Sequence, residues 1–389
     1  MPVGGANAMH LLANIKAKAV GLLPTKLKRN ARNQFPNQSS QQSNLLPPLK
    51  PVKLPRIFQD HSYALHDQGW TKVTYHGPHD DLQRASQALF EASRDFFDLP
   101  TSRKEDFRTR AGTEEGWNHV QGEKQFITLR SLEKTPPGLK DAAEAYWTVA
   151  GSYLDELLKR ISESLGLPAE ALGVYSEPCR RLGGKKTATL LRLFRYESTE
   201  TNEIKTVAEP HRDLGLLSLV VGDTPGLECW ERYAKLWFPI EKTFESPAAS
   251  VMVGRQLERL SNMRYRSGGH LVRSYPEETA RSSSSDPSGP PRYRYSIVFV
   301  LRAHSPVPVN TDELTTSITG PFQTPLNGMT AGELFQEIHS AHFNINTNVE
   351  ERNKQRENLA SKRSKTKAAE AAHDHPRCPS LEISLRNLA

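Results

Sequence analysis

The stretch HRDLGLLSLVVGDTPGLECW, residues 211–230, sets His211 and Asp213 just ahead of an apolar run that breaks at GDTPG and then resumes. Short apolar runs closed by Gly, Pro and Asp read as β-strands joined by turns. In an extended chain residues i and i+2 face the same way and i+1 faces the opposite way. If residues 211–213 are extended, the imidazole and the carboxylate converge on one side and Arg212 projects from the other. A fixed positive charge beside two metal-ligand side chains therefore need not repel a cation held between them.

Working outward, the same grammar fills the chain from Thr187. TATLLRLFRY, GLECWERY, KLWFPI, ASVMVG, HLVRSY and YRYSIVFVLRA are short strand-like runs cut by turn signals, and strands at this spacing predict a sandwich, jelly roll or barrel. Upstream, GWTKVTYHG alternates like one short strand, but most of the first half has helical periodicity. Leu82, Ala85, Leu89, Ala92 and Phe96 share one helical face, and that helix stops at Pro100. A longer helix is predicted from Lys140 to Leu165, burying Ala143, Trp147, Ala150, Leu154, Leu157, Ile161 and Leu165, with Gly166 as its stop. A last helix is predicted to begin at Thr330, which forms a capping-box pattern with Glu333.

The two ends differ in composition. Residues 1–55 are rich in Asn, Gln, Ser, Pro and Lys, too polar to offset ordering entropy by burial. They read as a disordered basic tail, with a mitochondrial presequence as the alternative. After Asn348 the chain turns highly charged with almost no apolar face, so residues 346–389 are expected to be a solvent-exposed tail, as an exposed helix or as disordered chain. The net charge of +7 suggests nucleic acid until it is located: nine basic residues and no acidic one precede Asp60, which leaves the remainder at −2. Nucleic-acid binding is therefore not expected of the folded part. No run is long and apolar enough for a membrane span. Cys179, Cys229 and Cys378, scattered and odd in number, fit neither a disulfide framework nor a thiolate metal site, so a reducing, cytoplasmic setting is expected. A monomer is expected.

Within the strand-rich region His270, in RSGGHLVRSY, is a second histidine on a predicted strand, and RYRYSIVFV places Arg294 and Ser296 two residues apart. Two histidines and one carboxylate leave open positions on an octahedral ion and suit non-haem Fe(II) and oxygen chemistry; without thiolates the same set also fits zinc. His79 and Asp81 repeat the spacing but sit where a helix begins, so a capping carboxylate and a surface histidine are expected there. His373, Asp374 and His375 lie in a polar tail with no scaffold to fix them. Trp230, Trp237, Phe238 and Cys229 read as core.

HRDLGLLSLVVGDTPGLECW, KLWFPI, VGRQLERLSNMRYRSGGHLV and RYSIVFV, in that order, resemble the C-terminal half of the iron and 2-oxoglutarate dependent dioxygenases related to isopenicillin N synthase. The segment through FFDLP and the GEKQ at Gly122–Gln125 resembles that family's N-terminal region, and the likeness covers roughly residues 55–345. It implies an α+β, mainly β fold: a double-stranded β-helix (jelly-roll) core over residues 181–345, flanked by a helical N-terminal region over residues 56–180. It also implies that His211, Asp213 and His270 bind Fe(II), and that Arg294 and Ser296 hold the distal carboxylate of 2-oxoglutarate. Tyr196 falls at the family's co-substrate tyrosine, with Phe194 and Glu197 at that motif's asparagine and proline positions.

The implied activity is hydroxylation, desaturation or ring closure of a small organic molecule by dioxygen, with release of succinate and carbon dioxide. A same-fold oxidase that does not use 2-oxoglutarate and a non-catalytic metabolite-binding relative are the rival readings. Charge counting agrees with the arginine: one ferrous ion, one aspartate and a doubly ionised keto acid leave a single negative charge, which one guanidinium neutralises in a buried site. The connection ETARSSSSDPSGPP, residues 278–291, is expected to be a surface loop.

Overall fold

A computed structural model describes residues 46–197, 203–275 and 293–373 of the chain. The helices are α1 Ser62–Asp67, α2 Asp81–Asp98, α3 Thr101–Glu105, α4 Lys140–Ser164, α5 Glu170–Gly173, α6 Arg255–Leu260, α7 Ala331–Ser340 and α8 Val349–His373. The strands are β1 Trp70–Thr74, β2 Gly116–Val120, β3 Lys124–Leu129, β4 Leu190–Tyr196, β5 Lys205–His211, β6 Leu217–Gly222, β7 Leu227–Glu231, β8 Leu236–Phe238, β9 Ala248–Val253, β10 His270–Ser274, β11 Arg294–Leu301, β12 Pro308–Val309 and β13 Met329–Thr330. Two units are distinguished, one ending at Ile338 and one beginning at His339. No helix among the described residues is long and apolar enough to cross a membrane.

Pleating explains how the first unit is layered. The described strands form a large antiparallel sheet in the order β1-β9-β6-β11-β4-β3-β2, a small one in the order β5-β10-β7-β8, and a β12-β13 pair. On the large sheet Leu191, Leu193, Leu217, Leu219, Val221, Val251, Ile297 and Phe299 belong to the same buried cluster as Leu82, Leu89 and Phe96 of α2 and Trp147, Leu154 and Ile161 of α4. Their sequence neighbours Phe194, Tyr196, Val220 and Met252 join a second cluster with Val207, Leu227, Cys229 and Val272 of the small sheet. Alternation thus gives the large sheet a helix-facing side and a side shared with the small sheet.

The long helix carries the first interface. Ala143, Trp147, Ala150, Leu154, Leu157, Ile161 and Leu165 are all fully buried, and Trp147 meets Phe299 of β11 edge to face at 5.1 Å. Burial of a large apolar side chain stabilises by about 1.5–3 kcal/mol each, so this one face outweighs the modest propensity terms of the helix. The capping box at α7 forms as expected: the Thr330 amide donates to Glu333 Oε2 at 2.7 Å and the Glu333 amide donates to Thr330 Oγ1 at 3.2 Å.

Several expectations are corrected. Besides the expected strand β1, the first half supplies two more, β2 and β3, which pair in register as a hairpin next to β4. Residues 46–55 are not tail: Leu54 is buried, Leu49 and Val52 pack on the core, and the Lys50 amide donates to Ser164 O at 2.8 Å. Enough apolar side chains recur there to dock the irregular segment despite its basic composition. The residue that caps α2 is Asp80, whose side chain accepts from the Leu82 and Gln83 amides; Asp81 and His79 are exposed. In the second unit the helical alternative holds as α8, but solvent exposure does not hold throughout: Arg352 is buried, donating to the carbonyls of Ile345 and Thr347. The loop at residues 278–291 and the tail residues Asp374 and His375 lie outside the described residues.

Candidate metal centre

Strand register brings the ligand candidates together. β5 and β10 pair antiparallel with His211 directly opposite His270, and their rings lie 4.2 Å apart between centroids. β5 ends at His211, so Arg212 and Asp213 continue in irregular backbone instead of the extended strand expected. The outcome for the side chains is the one that pleating predicts: Arg212 is exposed, and Asp213 turns back toward the histidines. One ligand atom from each of His211, Asp213 and His270 lies within 4.8 Å of the others. His270 Nε2 is 3.8 Å from Asp213 Oδ2.

Hydrogen bonds orient the two imidazoles. His211 Nδ1 donates to the Glu209 carbonyl at 2.8 Å and His270 Nδ1 to the Gly268 carbonyl at 3.3 Å. Both Nε2 atoms are thereby left as the acceptor, the arrangement by which a second contact sets the tautomer of a metal-binding histidine. Burial, and then the neighbouring His270, push the His211 imidazole well below its usual range, so it is neutral and its lone pair is available. Burial alone pushes the Asp213 carboxyl up, but the neighbouring His270 and the Arg192 guanidinium outweigh it and hold it below the usual carboxylate range. Asp213 Oδ2 is nonetheless buried without a hydrogen-bond partner. An ionised oxygen in that state is costly unless a cation meets it, so the donor set fits a divalent ion.

A second set lies on the large sheet. Arg294 and Ser296 face inward from β11, opposite Tyr196 and Phe194 of β4, and all four are buried. The Arg294 guanidinium lies over the Tyr196 ring at 5.3 Å, and Tyr196 stacks on Phe194 at 5.3 Å. Arg294 Nη1 and Ser296 Oγ are buried and have no hydrogen-bond partner. Two orphaned donors on one strand face suit an acidic oxygen.

Sequence reading missed three charged residues. Glu241, in the turn after WFPI, accepts from Arg294 Nη2 at 2.9 and 3.1 Å and from the Gly226 and Leu227 amides at 2.7 Å each. Nothing in the sequence marks it, since a glutamate in a turn reads as surface. The single arginine of the charge count is therefore already paired, and that count needs the remaining cations. Arg192 shares its strand face with Phe194 and Tyr196, donates from Nε to Thr128 Oγ1 at 2.8 Å, and acts electrostatically on both His211 and Asp213. Lys124, fully buried on β3, also acts on His211. Period-two alternation along LLRLFRY was the signal that would have found Arg192.

The core reading holds for Cys229 but only in part for Trp230, Trp237 and Phe238, which are half-buried. Cys229 is buried and its thiol is pushed well up by that burial, so it is no nucleophile. Trp230 and Trp237 are half-buried and pack edge to face at 5.2 Å, while Phe238 stacks on Trp70 at 5.7 Å. Gly268 is a packing residue: a Cβ there would strike the Gly69 carbonyl.

A sequence model of the 2OG-Fe(II) oxygenase superfamily matches residues 187–303. Probable flavonol synthase 5 of Arabidopsis thaliana is 26% identical over 226 residues, covering 54% of this chain and 66% of the relative. Jasmonate-induced oxygenase 1 of the same plant is 24% identical over 284 residues, covering 68% of this chain and 65% of the relative. The chain spans just under two thirds of the length of these curated relatives. A crystal structure of JOX2 in complex with 2OG, Fe and JA matches with a TM-score of 0.57 and 21% identity, over 79% of this chain and 95% of that one. At that identity the likeness is one of fold.

Proposed function

We propose that this chain, a member of the 2OG-Fe(II) oxygenase superfamily, oxidises a small organic molecule with dioxygen at a ferrous centre, consuming 2-oxoglutarate and releasing succinate and carbon dioxide. The observation that carries the reading is the meeting of one ligand atom each from His211, Asp213 and His270 within 4.8 Å, together with the orphaned Arg294 Nη1 and Ser296 Oγ. The strand order supports a jelly roll: from β4 to β11 the chain passes back and forth between the two sheets, pausing only at the β7-β8 pair.

His211, His270 and Asp213 would hold the iron, and Arg294 Nη1 with Ser296 Oγ would take the far carboxylate of the 2-oxo acid. Together these groups, when bound, supply dioxygen activation coupled to oxidative decarboxylation. The protein's own part is positioning and exclusion of water. Val207, Val220, Met252 and Val272 give the interior between the sheets an apolar wall, and Tyr196 covers one face of the Arg294 guanidinium. No side chain is needed as general acid or base. Whether the outcome is hydroxylation, desaturation or ring closure depends on the substrate.

The test is to add Fe(II) and 2-oxoglutarate to the purified protein without oxygen and to look for the visible charge-transfer band of a chelated keto acid. The band is expected in the unaltered protein and absent in His270→Ala; its absence from both removes the reading. One observation favours a same-fold oxidase that needs no 2-oxo acid, namely the engagement of Arg294 by Glu241. Succinate formed in step with substrate consumption excludes that rival.

A further inference from the structure

We infer that Glu241 sets co-substrate selectivity, relaxing it so that the pocket accepts 2-oxo acids with an uncharged hydrogen-bonding far end as well as 2-oxo diacids. The inference rests on the proposed use of a 2-oxo acid and goes beyond it in naming which acids fit and why.

An arginine selects a carboxylate through two parallel N–H groups and its net charge. Arg294 has spent most of both. Its Nε donates to the Thr224 carbonyl at 2.9 Å and its Nη2 to Glu241. The pair is almost wholly buried, with side-chain exposures of 3% and 5%. Glu241 cannot swing aside cheaply, because the Gly226 and Leu227 amides hold the same carboxylate. The backbone also closes around the pair: a Cβ on Gly222 would strike both Arg294 Nη2 and Glu241 Oε1, and one on Gly226 would strike Arg294 Nε. What remains for a ligand is Nη1 and the Ser296 hydroxyl, two donors that a neutral carbonyl oxygen satisfies as well as a carboxylate does.

The surrounding charges act the same way. Glu241 cancels the guanidinium, and Asp223, which accepts from the Tyr295 amide at 2.8 Å, adds a second acid in electrostatic range of Arg294. Lys124, which is buried, acts on His211 at the metal end, and the half-buried Arg192 acts on His211 and on Tyr196. Asp223 is itself paired with Arg94 at 3.4 Å, so a far-end carboxylate meets an arginine whose charge Glu241 already balances and gains little over an uncharged acceptor. Like charges a few ångströms apart at an effective dielectric near 20 change affinity by about tenfold or more.

The test compares 2-oxoglutarate with its 5-monomethyl ester, binding each to the Fe(II)-loaded full chain without oxygen and following the bound state by calorimetry and by the charge-transfer band. In the unaltered protein the ester is expected to bind within about tenfold of the diacid. In Glu241→Gln the diacid is expected to tighten by about tenfold or more while the ester moves by less than about threefold. A diacid preference of a hundredfold or more in the unaltered protein overturns the inference, and that comparison needs no variant to fold. A ratio unchanged in Glu241→Gln overturns it too. If neither acid binds, the proposed function itself falls, and this inference with it.

Discussion

The Arg294–Glu241 pair makes a stability prediction that needs no ligand. Arg294→Met keeps most of the aliphatic volume but leaves the Glu241 carboxylate buried with only the Gly226 and Leu227 amides as partners. Breaking a buried pair from one side costs about 3–5 kcal/mol, because the remaining charge is uncompensated. Adding Glu241→Gln removes that charge and keeps an acceptor oxygen for the two amides, so most of the penalty disappears. The double variant is expected to be only about 1–2 kcal/mol less stable than the unaltered chain, the scale of hydrogen bonds lost on replacing both partners. The cycle thus closes with a coupling of about 2 kcal/mol or more, within the range for residues in direct contact. Urea unfolding followed by circular dichroism measures all four proteins. Additive single costs, within the error of the fits, would refute the claim that the two groups form one neutralised unit.

Other predictions concern separate parts of the molecule. Adding Fe(II) or Co(II) to metal-free protein at a hundred times the dissociation constant is expected to stabilise it by about 2.7 kcal/mol, read as a rise in melting temperature, and Asp213→Ala is expected to abolish that rise. Glu114 receives two hydrogen bonds from Arg302, at 2.6 and 3.0 Å, which outweigh burial and hold its carboxyl at about 2 instead of 4.5. Its contribution is therefore complete above about 4.5 and is lost as pH falls toward about 2. With 37% of its side chain exposed, solvent screening keeps the effect small; Arg302→Gln should flatten that part of the melting-temperature profile. Thr330→Ala removes one arm of the α7 capping box and is expected to cost about 1 kcal/mol in chemical denaturation.

What was legible in the sequence was local. The buried face of α4, the Thr330–Glu333 box and the run from β6 to β7 follow from periodicities of 3.6 and 2 and from turn residues, which act over a few positions. KTVAEPH went unread as β5 because only Val207 and Ala208 of it are deeply buried, and Pro210 is tolerated only because β5 is an edge strand. The hairpin of β2 and β3 was taken for helical territory because its charged and aromatic residues find burial only through tertiary partners: Lys124 and Phe126 pair with β4, and Trp117 lies under Lys104 and Arg108. The convergence of His211 and Asp213 needed only two residues' worth of backbone direction.

By itself the chain's pattern determined the strand-rich core, the helices and the types of side chain offered to a metal and to an acidic co-substrate. The tertiary structure alone decided that His211 stands opposite His270 across the β5-β10 ladder, and that Glu241 reaches the arginine that charge counting had left free. The reason is physical. Side-chain periodicity is a property of neighbouring backbone dihedrals, whereas the pairing of buried charges depends on register and packing between segments far apart in the chain, where burial makes each partner costly to leave alone.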